Sequence, residues 1–455
     1  MCYDPRLIRR PSRMACVLML SPAIALSQSA SFVPLGFLDP NDPNSRARGV
    51  SADGRAVAGE GSTGTTSREA FLWTAESGMN PIGLDRTDGR AVSGDGMTIV
   101  GYAAGYSYRW TARSGVEWLG QLEGGNGTSD AKGVNWDGSV VVGSAVSDRS
   151  ENSEAFRWTE EDGMLGLGDM EGDRLFSIAH GVSHDGAVIV GEGYSYNARA
   201  AFYWTQDTEF VELPKLPDWG ISRAHGISPD AGAIVGRCIN PERNRDEAVR
   251  WTQSEGMVPL GVLDPDDFNY YSEALDAASN GWVIVGNSEA GQARGGMVAC
   301  VWTPARGILH LGELLRNDFG LDLGDWRLAR AFSISYDGKT VVGYGTHPGV
   351  ELEAYLARIP CIDDCDQCSF TEQMRAKCKA NEDGTVTVVA RLSSAKPGAR
   401  LTFVLDYWKQ MQERDVKSTG KARAKFKRLA PTPPLGQYHV TLKECDAPAD
   451  ARCGN

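Results

Sequence analysis

The chain predicts an all-β fold: a seven-bladed β-propeller closed by its own N-terminal strand and followed by a small β-rich, cysteine-containing domain. Three observations carry this. A four-strand unit recurs seven times between residues 31 and 360. Its Ser-like and closing Gly positions lie eight residues apart in every copy, at Ser51/Gly59, Ser93/Gly101, Asn135/Gly143, Ser183/Gly191, Ser228/Gly236, Ala278/Gly286 and Ser335/Gly343. The last unit lacks a fourth strand, and an unused fourth strand stands at the other end of the chain. Self-similarity at this period is the mark of propeller blades.

Residues 1–30 read as a secretory signal. Arg6, Arg9, Arg10 and Arg13 precede an apolar run at 14–26, and Ser27 and Ser29 place cleavage before Ala30. The expected location is therefore exported: extracellular, cell-surface or periplasmic. The apolar run is short for a bilayer span and no other segment approaches one. The chain of 455 residues has 53 Gly and a net charge of −13. That acidity argues against a nucleic-acid partner, which needs clustered cations. The charge is uneven. Residues 361–455 hold 16 Lys/Arg against 12 Asp/Glu, leaving 30 against 47 in the first 360.

Each unit opens with an A-x-G-V-S strand. An Asp-Gly pair then makes a tight turn, at Asp53-Gly54, Asp95-Gly96, Asp137-Gly138, Asp185-Gly186 and Asp337-Gly338, with Asn280-Gly281 as the amide variant. Glycine takes positive φ there without a Cβ clash. The fifth unit has Asp230-Ala231, so its turn is expected to be strained or shifted. A Val-rich strand follows and ends in Gly. Strand three carries Trp73, Trp110, Trp158, Trp204, Trp251 and Trp302, and strand four is L-G-x-L. The seventh unit ends after AYLARIP at 354–360, with Ala357 in the tryptophan position. Residues 31–42, SFVPLGFLDPND, match residues 256–267, GMVPLGVLDPDD. The N-terminal segment is thus expected to pair against residues 354–359 and close the ring, which removes the exposed edges of an open array.

These motifs resemble the HAF family of extracellular repeats over about residues 31–360. The resemblance rests on the Ser-x-Asp-Gly turn, the Val-Val-Gly strand, the Phe-x-Trp-Thr strand and the Leu-Gly-x-Leu strand. It implies export and repeat architecture, and no shared enzymatic activity. Ala278 and Ala357 depart from the pattern. The turn is also similar to the Asp-box of sialidase-like propellers. Only Ser228 through Gly232 has that spacing, and it lacks the aromatic, so no sialidase site is carried over.

The tryptophans are expected to pack between blades, and the single Asp of each turn supplies too few oxygens for calcium. His180 and His184 are four apart, but on a strand and turn, which separates them; no metal site or cofactor is expected. The x of A-x-G is more informative: Arg48, Arg90, Lys132, His180, His225, Leu275 and Phe332 in order. Strand one lines the channel, so five consecutive blades set an ionisable group near the axis. Such a ring binds an anion, or it is paired internally. Glu69, Glu154 and Glu247 begin strand three in the blades of Arg48, Lys132 and His225, and are the expected partners. The loops after strands two and four share one face and carry Tyr102, Tyr106, Tyr194, Tyr196, Trp219, Tyr270 and Tyr271. Variable loops on a rigid scaffold commonly carry function.

In the tail, Cys361, Cys365, Cys368, Cys378, Cys445 and Cys453 form an even set expected to be disulfide-bonded outside the cytosol. A short helix is expected near 370–380, then strands at 385–393, 400–406, 421–428 and 436–444. Lys421, Arg423, Lys425, Lys427 and Arg428 mark a solvated edge strand. Together these features predict a non-catalytic exported propeller presenting its loop face to a glycan, surface polymer or protein partner. The alternative is a glycoside hydrolase or polysaccharide lyase, which needs converging carboxylates or a base beside a cation.

Overall fold

A computed structural model describes residues 30–360 except 65–66, 150–152, 173–174, 197, 241–244, 266–269 and 292–295. Beyond residue 360 it describes seven strands. Of the predicted signal segment 1–30, residues 1–29 lie outside the described residues, as do Cys361, Cys365, Cys368, Cys445 and Cys453 and the side chain of Cys378.

The repeat folds into seven four-stranded antiparallel sheets. Six blades are built from four consecutive strands, with strand one starting at Ser45, Thr87, Ser129, Ser177, Ile221 and Ser272. The seventh combines Arg327–Ile334, Thr340–His347 and Val350–Arg358 with the N-terminal strand Ser31–Gly36. Ser31 pairs with Arg358, Val33 with Leu356 and Gly36 with Ala354, antiparallel, as the matching end fragments require. Phe32 packs edge-on against Trp326, ring centroids 5.1 Å apart, and Leu35 is buried with Val57, Phe71 and Leu356. The closing strand therefore joins the cores of blades 7 and 1.

The recurring residues have specific bonds. In the turn, the Ser51 hydroxyl donates to Asp53 Oδ1 (2.7 Å) and accepts from the Ala56 amide (2.9 Å). The same pair recurs in the units of Ser93, Ser183, Ser228 and Ser335. Asn135 substitutes its amide oxygen, accepting from Val140 N at 2.9 Å. The aspartate thus organises the turn. In the fifth unit Ala231 adopts φ +58°, where the equivalent Gly54 has φ +69°. An L-residue pays roughly 1–2 kcal/mol in that region. Ala231→Gly is therefore expected to stabilise the protein by about 0.5–1 kcal/mol after the extra glycine entropy. A rise in the denaturation midpoint checks this; a fall would show that Ala231's packing outweighs its backbone strain.

A second repeated residue ties blade to blade. Ser45, Thr87, Ser129, Ser177, Ser222 and Ser272 each sit six positions before the turn residue. Each accepts a hydrogen bond from a strand-three amide of the preceding blade, as Ala70 N to Thr87 Oγ1 (2.7 Å) and Ala354 N to Ser45 Oγ (3.0 Å). In blade 7 the position is Ala329. At the turn end, backbone bonds run around the axis from Tyr336 to Ala52, Ala52 to Gly94, Asp95 to Trp136, Trp136 to His184, His184 to Pro229 and Ser279 to Tyr336. The break follows Pro229, which has no N–H to donate. Each strand-three tryptophan packs against the blade before it; Trp158, for example, lies with Val100.

The tail forms two antiparallel sheets, one of Gln373–Ala380, Val386–Ser393 and Ala422–Leu429, the other of four strands. The helix expected near 370–380 is a strand instead. Its sequence, Gln-Met-Arg-Ala-Lys-Cys-Lys-Ala, alternates polar and apolar residues with the period of a strand, and that period wins. The basic strand Ala422–Leu429 pairs only with Val386–Ser393 in its sheet, so it is an edge there, with Lys425 exposed.

Candidate axial binding site

The x of A-x-G is a β-bulge residue in all seven blades. Ala47 pairs with Gly59 and Gly49 with Ala58, so Arg48 is the extra residue between them. Arg90, Lys132, His180, His225, Leu275 and Phe332 occupy the same slot. A bulge re-aims a side chain, and here it turns seven side chains toward the axis. The bulge also explains the closing glycine of Val-Val-Gly. A Cβ at Gly59 would sit 1.9 Å from Arg46 O, and one at Gly343 would sit 1.8 Å from Arg330 O. The invariant eight-residue spacing is thus the spacing that builds an axis-facing bulge.

All seven bulge residues line one axial cavity of about 380 Å³. Trp136, His184 and Tyr336 line it toward the turn end, with Trp136 and His184 rings 4.5 Å apart. The cationic bulge residues are held from behind by acids on strands one and two, in a network that extends beyond the cavity lining. Glu60 takes Arg48 at 2.9 Å and Arg46 at 3.6 Å. Asp130 takes Lys132 at 2.6 Å and Arg90 at 3.4 Å, and Asp88 also takes Arg90. Glu192 is shared by Arg223, Arg199 and His180. Glu273 is shared by Arg330 at 2.7 Å, Arg237 and His225, and Arg237 also reaches Asp246.

The charges are therefore paired, but not with the expected partners. Glu69, Glu154 and Glu247 face strand four of their own blades. Glu69 accepts from Gly83 N (2.7 Å) and Leu84 N, and Glu154 from Gly168 N (3.0 Å); Gly83 and Gly168 have positive φ. Glu353 holds Gly36 N of the closing strand in the same way. The cations pair instead with strand-one and strand-two acids such as Glu60, Glu192 and Glu273. These alternate out of phase with the bulge residue and so escape a search along strand three.

Burial opposes ionisation of Glu192, but its bond to His180 and the charges of His180, Arg223 and Arg199 outweigh it and hold the carboxyl at about 2. Burial, the neighbouring His180 and Arg237 push His225 down to about 3, so its imidazole is neutral at pH 7. His180 is lowered too, chiefly by burial. Asp276, bonded to Ser333 Oγ and Ile334 N, is raised by burial to about 6.

The loop-face aromatics divide. Tyr106 and Tyr196 are exposed. Tyr271 bonds Arg237 through its hydroxyl (2.8 Å), Tyr270 lies against Arg245, Tyr194 lies against Phe176 and Arg199, and Trp219 packs beside Leu216. These four support their own surroundings. Tyr102 lines a second cavity of about 320 Å³ between blades 2 and 3, with Thr128, Ser144, Ser153, Asp130 and Arg90. Arg90 lines both cavities. Sequence reading missed Trp118, which is 51% exposed and edge-on to Tyr106 at 6.2 Å. It stands immediately before the regular Leu119-Gly120-Gln121-Leu122 segment, at the position that Pro81 and Pro259 hold in their units, and a tryptophan at that repeat position was the available signal. Among the described residues no three His, Cys, Asp or Glu side chains cluster to hold a metal, and no helix is long and apolar enough to cross a membrane.

No family model matches the sequence, and no curated protein matches it. Among solved structures the chain is similar to an oligogalacturonate lyase from Vibrio parahaemolyticus, with 14% identity and a TM-score of 0.51, over 73% of this chain and 97% of that one. It also matches TolB from Acinetobacter baumannii with 11% identity and a TM-score of 0.38, over 70% and 65% of the two chains. The first likeness is one of fold, and it agrees with the propeller.

Proposed function

We propose that this protein is an exported, non-catalytic binding propeller of the HAF repeat type, and that its axial site takes an acidic saccharide from the loop face. The observation that supports this is the charge balance at the axis. Arg46, Arg48, Arg90, Lys132, Arg199, Arg223, Arg237 and Arg330 share Glu60, Asp88, Asp130, Glu192, Asp246 and Glu273. Of these, Arg48, Arg90 and Lys132 line the cavity itself, against one lining carboxylate, Asp276, in a chain whose net charge is −13. A cleft lined by an excess of one sign focuses its field on a counter-charge. The sharing also fixes the guanidinium groups in place before a ligand arrives, which lowers the cost of binding.

Arg48 and Arg90 are the cations to remove, because Glu60 keeps Arg46 and Asp130 keeps Lys132. The double variant Arg48→Ala/Arg90→Ala is expected to keep its fold and to bind glucuronate and uronate oligosaccharides at least about tenfold more weakly, about 1.4 kcal/mol. Isothermal titration calorimetry with a thermal melt measures both. Failure of the parent protein to bind any acidic saccharide would overturn the reading. Depolymerisation of a uronate polymer by the parent protein would replace it with a carbohydrate-active enzyme.

A further inference from the structure

We infer that the seam between blades 2 and 3 is an extended subsite for a saccharide chain, running outward from Arg90 in the axial cavity to the exposed Tyr106–Trp118 pair. The inference rests on the axial reading above and names the path and polymeric character of the ligand.

The repeat position that forms the seam explains why it opens here. Nine residues past the turn Ser, strand two carries Glu60, Tyr102, Ser144, Glu192, Arg237, Asn287 and Tyr344 in successive blades. Blade 3 has the smallest side chain of the seven, and the cavity lies beside it. Its walls are hydroxyls and a carboxylate, from Thr128, Ser144, Ser153 and Asp130, with the Tyr102 ring. Such a lining offers donors and acceptors to a polyhydroxylated ligand and little to an apolar one. At its inner end Arg90 Nε and Asp130 Oδ1 form an ion pair at 3.4 Å, and among the described residues neither atom makes a hydrogen bond. Buried polar atoms in that condition are the exception in folded proteins.

At the outer end, Tyr106 starts strand three, which pairs Ser107 with Tyr102, and Trp118 ends strand four opposite Tyr108. Tyr106 also lies against Gly127, next to Thr128 of the seam: a Cβ on that glycine would meet its ring at 2.8 Å. The two rings are 48% and 51% exposed, and they carry no charge. Flat apolar faces with polar tips suit the face of a sugar ring rather than its acid group. The strip crosses four strands, or three spacings of about 4.8 Å, some 14 Å in all. That length takes a few sugar units, with an acid group at Arg90.

Calorimetry on glucuronate and on uronate oligosaccharides of increasing length tests this. Affinity is expected to rise at least tenfold from the monosaccharide to a short oligosaccharide and then level off. Tyr106→Ala/Trp118→Ala is expected to erase that gain and leave glucuronate binding unchanged. Ser144→Tyr fills the seam with the residue that blades 2 and 7 already carry at this position, so the fold tolerates it, and it is expected to do the same. Equal affinity for monosaccharide and oligosaccharide, or oligosaccharide binding by both variants at the parent's strength, would overturn the subsite and leave the axial site standing. Absence of any acidic-saccharide binding would overturn both.

Discussion

Deleting residues 31–38 is expected to abolish folding or to cause aggregation, while truncation after residue 360 leaves the propeller folded. The closing strand bonds along five pairs to Val350–Arg358 and supplies Leu35 and Val33, with Leu38 just beyond it, to the core shared with blade 1. Phe32 enters the neighbouring cluster with Leu328, Tyr355 and Trp326. Full burial of a large apolar side chain is worth about 1.5–3 kcal/mol, which Leu35 loses outright and the partly buried Phe32, Val33 and Leu38 lose in part. With the lost strand pairing, that is a large share of the stability of a typical domain, about 5–15 kcal/mol. The deletion also removes Gly36, whose carbonyl accepts from Ser45 Oγ and whose amide donates to Glu353. Circular dichroism and sedimentation of the two truncations decide it. A folded, monomeric 31–38 deletion would mean that the ring does not depend on its closing strand.

Glu273→Ala is expected to destabilise the protein by about 3 kcal/mol, the low end of the range for breaking a buried pair, because its cations retain some solvent. Glu273 is 7% exposed and serves Arg330, Arg237, His225 and the Asn287 amide. Acid acts on the same network. Glu192 has a folded pKa of about 2 against an ordinary 4.5, and Glu273 is lowered as well. The unfolded chain therefore takes up the proton first, and stability rises with pH through this window. Their contribution is fully present above pH 4.5 and is lost as pH falls toward 2. Denaturant melts of the parent and of Glu273→Ala at pH 7 and pH 3 measure this: the gap between the two proteins is expected to narrow at pH 3. A gap that is constant with pH would show that Glu273 acts through packing rather than charge.

The fold was legible because each repeat position has a local steric or bonding reason. The Ser-x-Asp-Gly turn, the closing glycine and the tryptophan each solve the same problem in blade after blade, so identity of residue tracks identity of role. The departures were legible for the same reason: Asp230-Ala231 breaks the glycine rule, and Ala231 carries the predicted backbone strain at φ +58°. The site was half legible. The bulge residues Arg48, Arg90, Lys132, His180 and His225 converge on the cavity as their shared position required. Their partners were missed because a glutamate repeated in strand three looks like a counter-ion. Glu69 and Glu154 instead satisfy strand-four amides beside glycines with positive φ. The true counter-ions differ from blade to blade, Glu60 here and Asp130 there, and a residue without a repeat leaves no pattern to read. The strand Gln373–Ala380 is hidden by composition: its Gln, Met, Arg, Ala and Lys residues all favour a helix, while their two-residue alternation sets a strand.

The most direct test of the axial site is a crystal structure of the protein with a uronate trisaccharide. The account predicts a carboxylate within ion-pair distance of Arg90 in the axial cavity, and sugar rings following the seam of Tyr102, Thr128 and Ser144 toward Tyr106 and Trp118. A saccharide bound at the turn face against Trp136 and His184, with the axial arginines untouched, would contradict it.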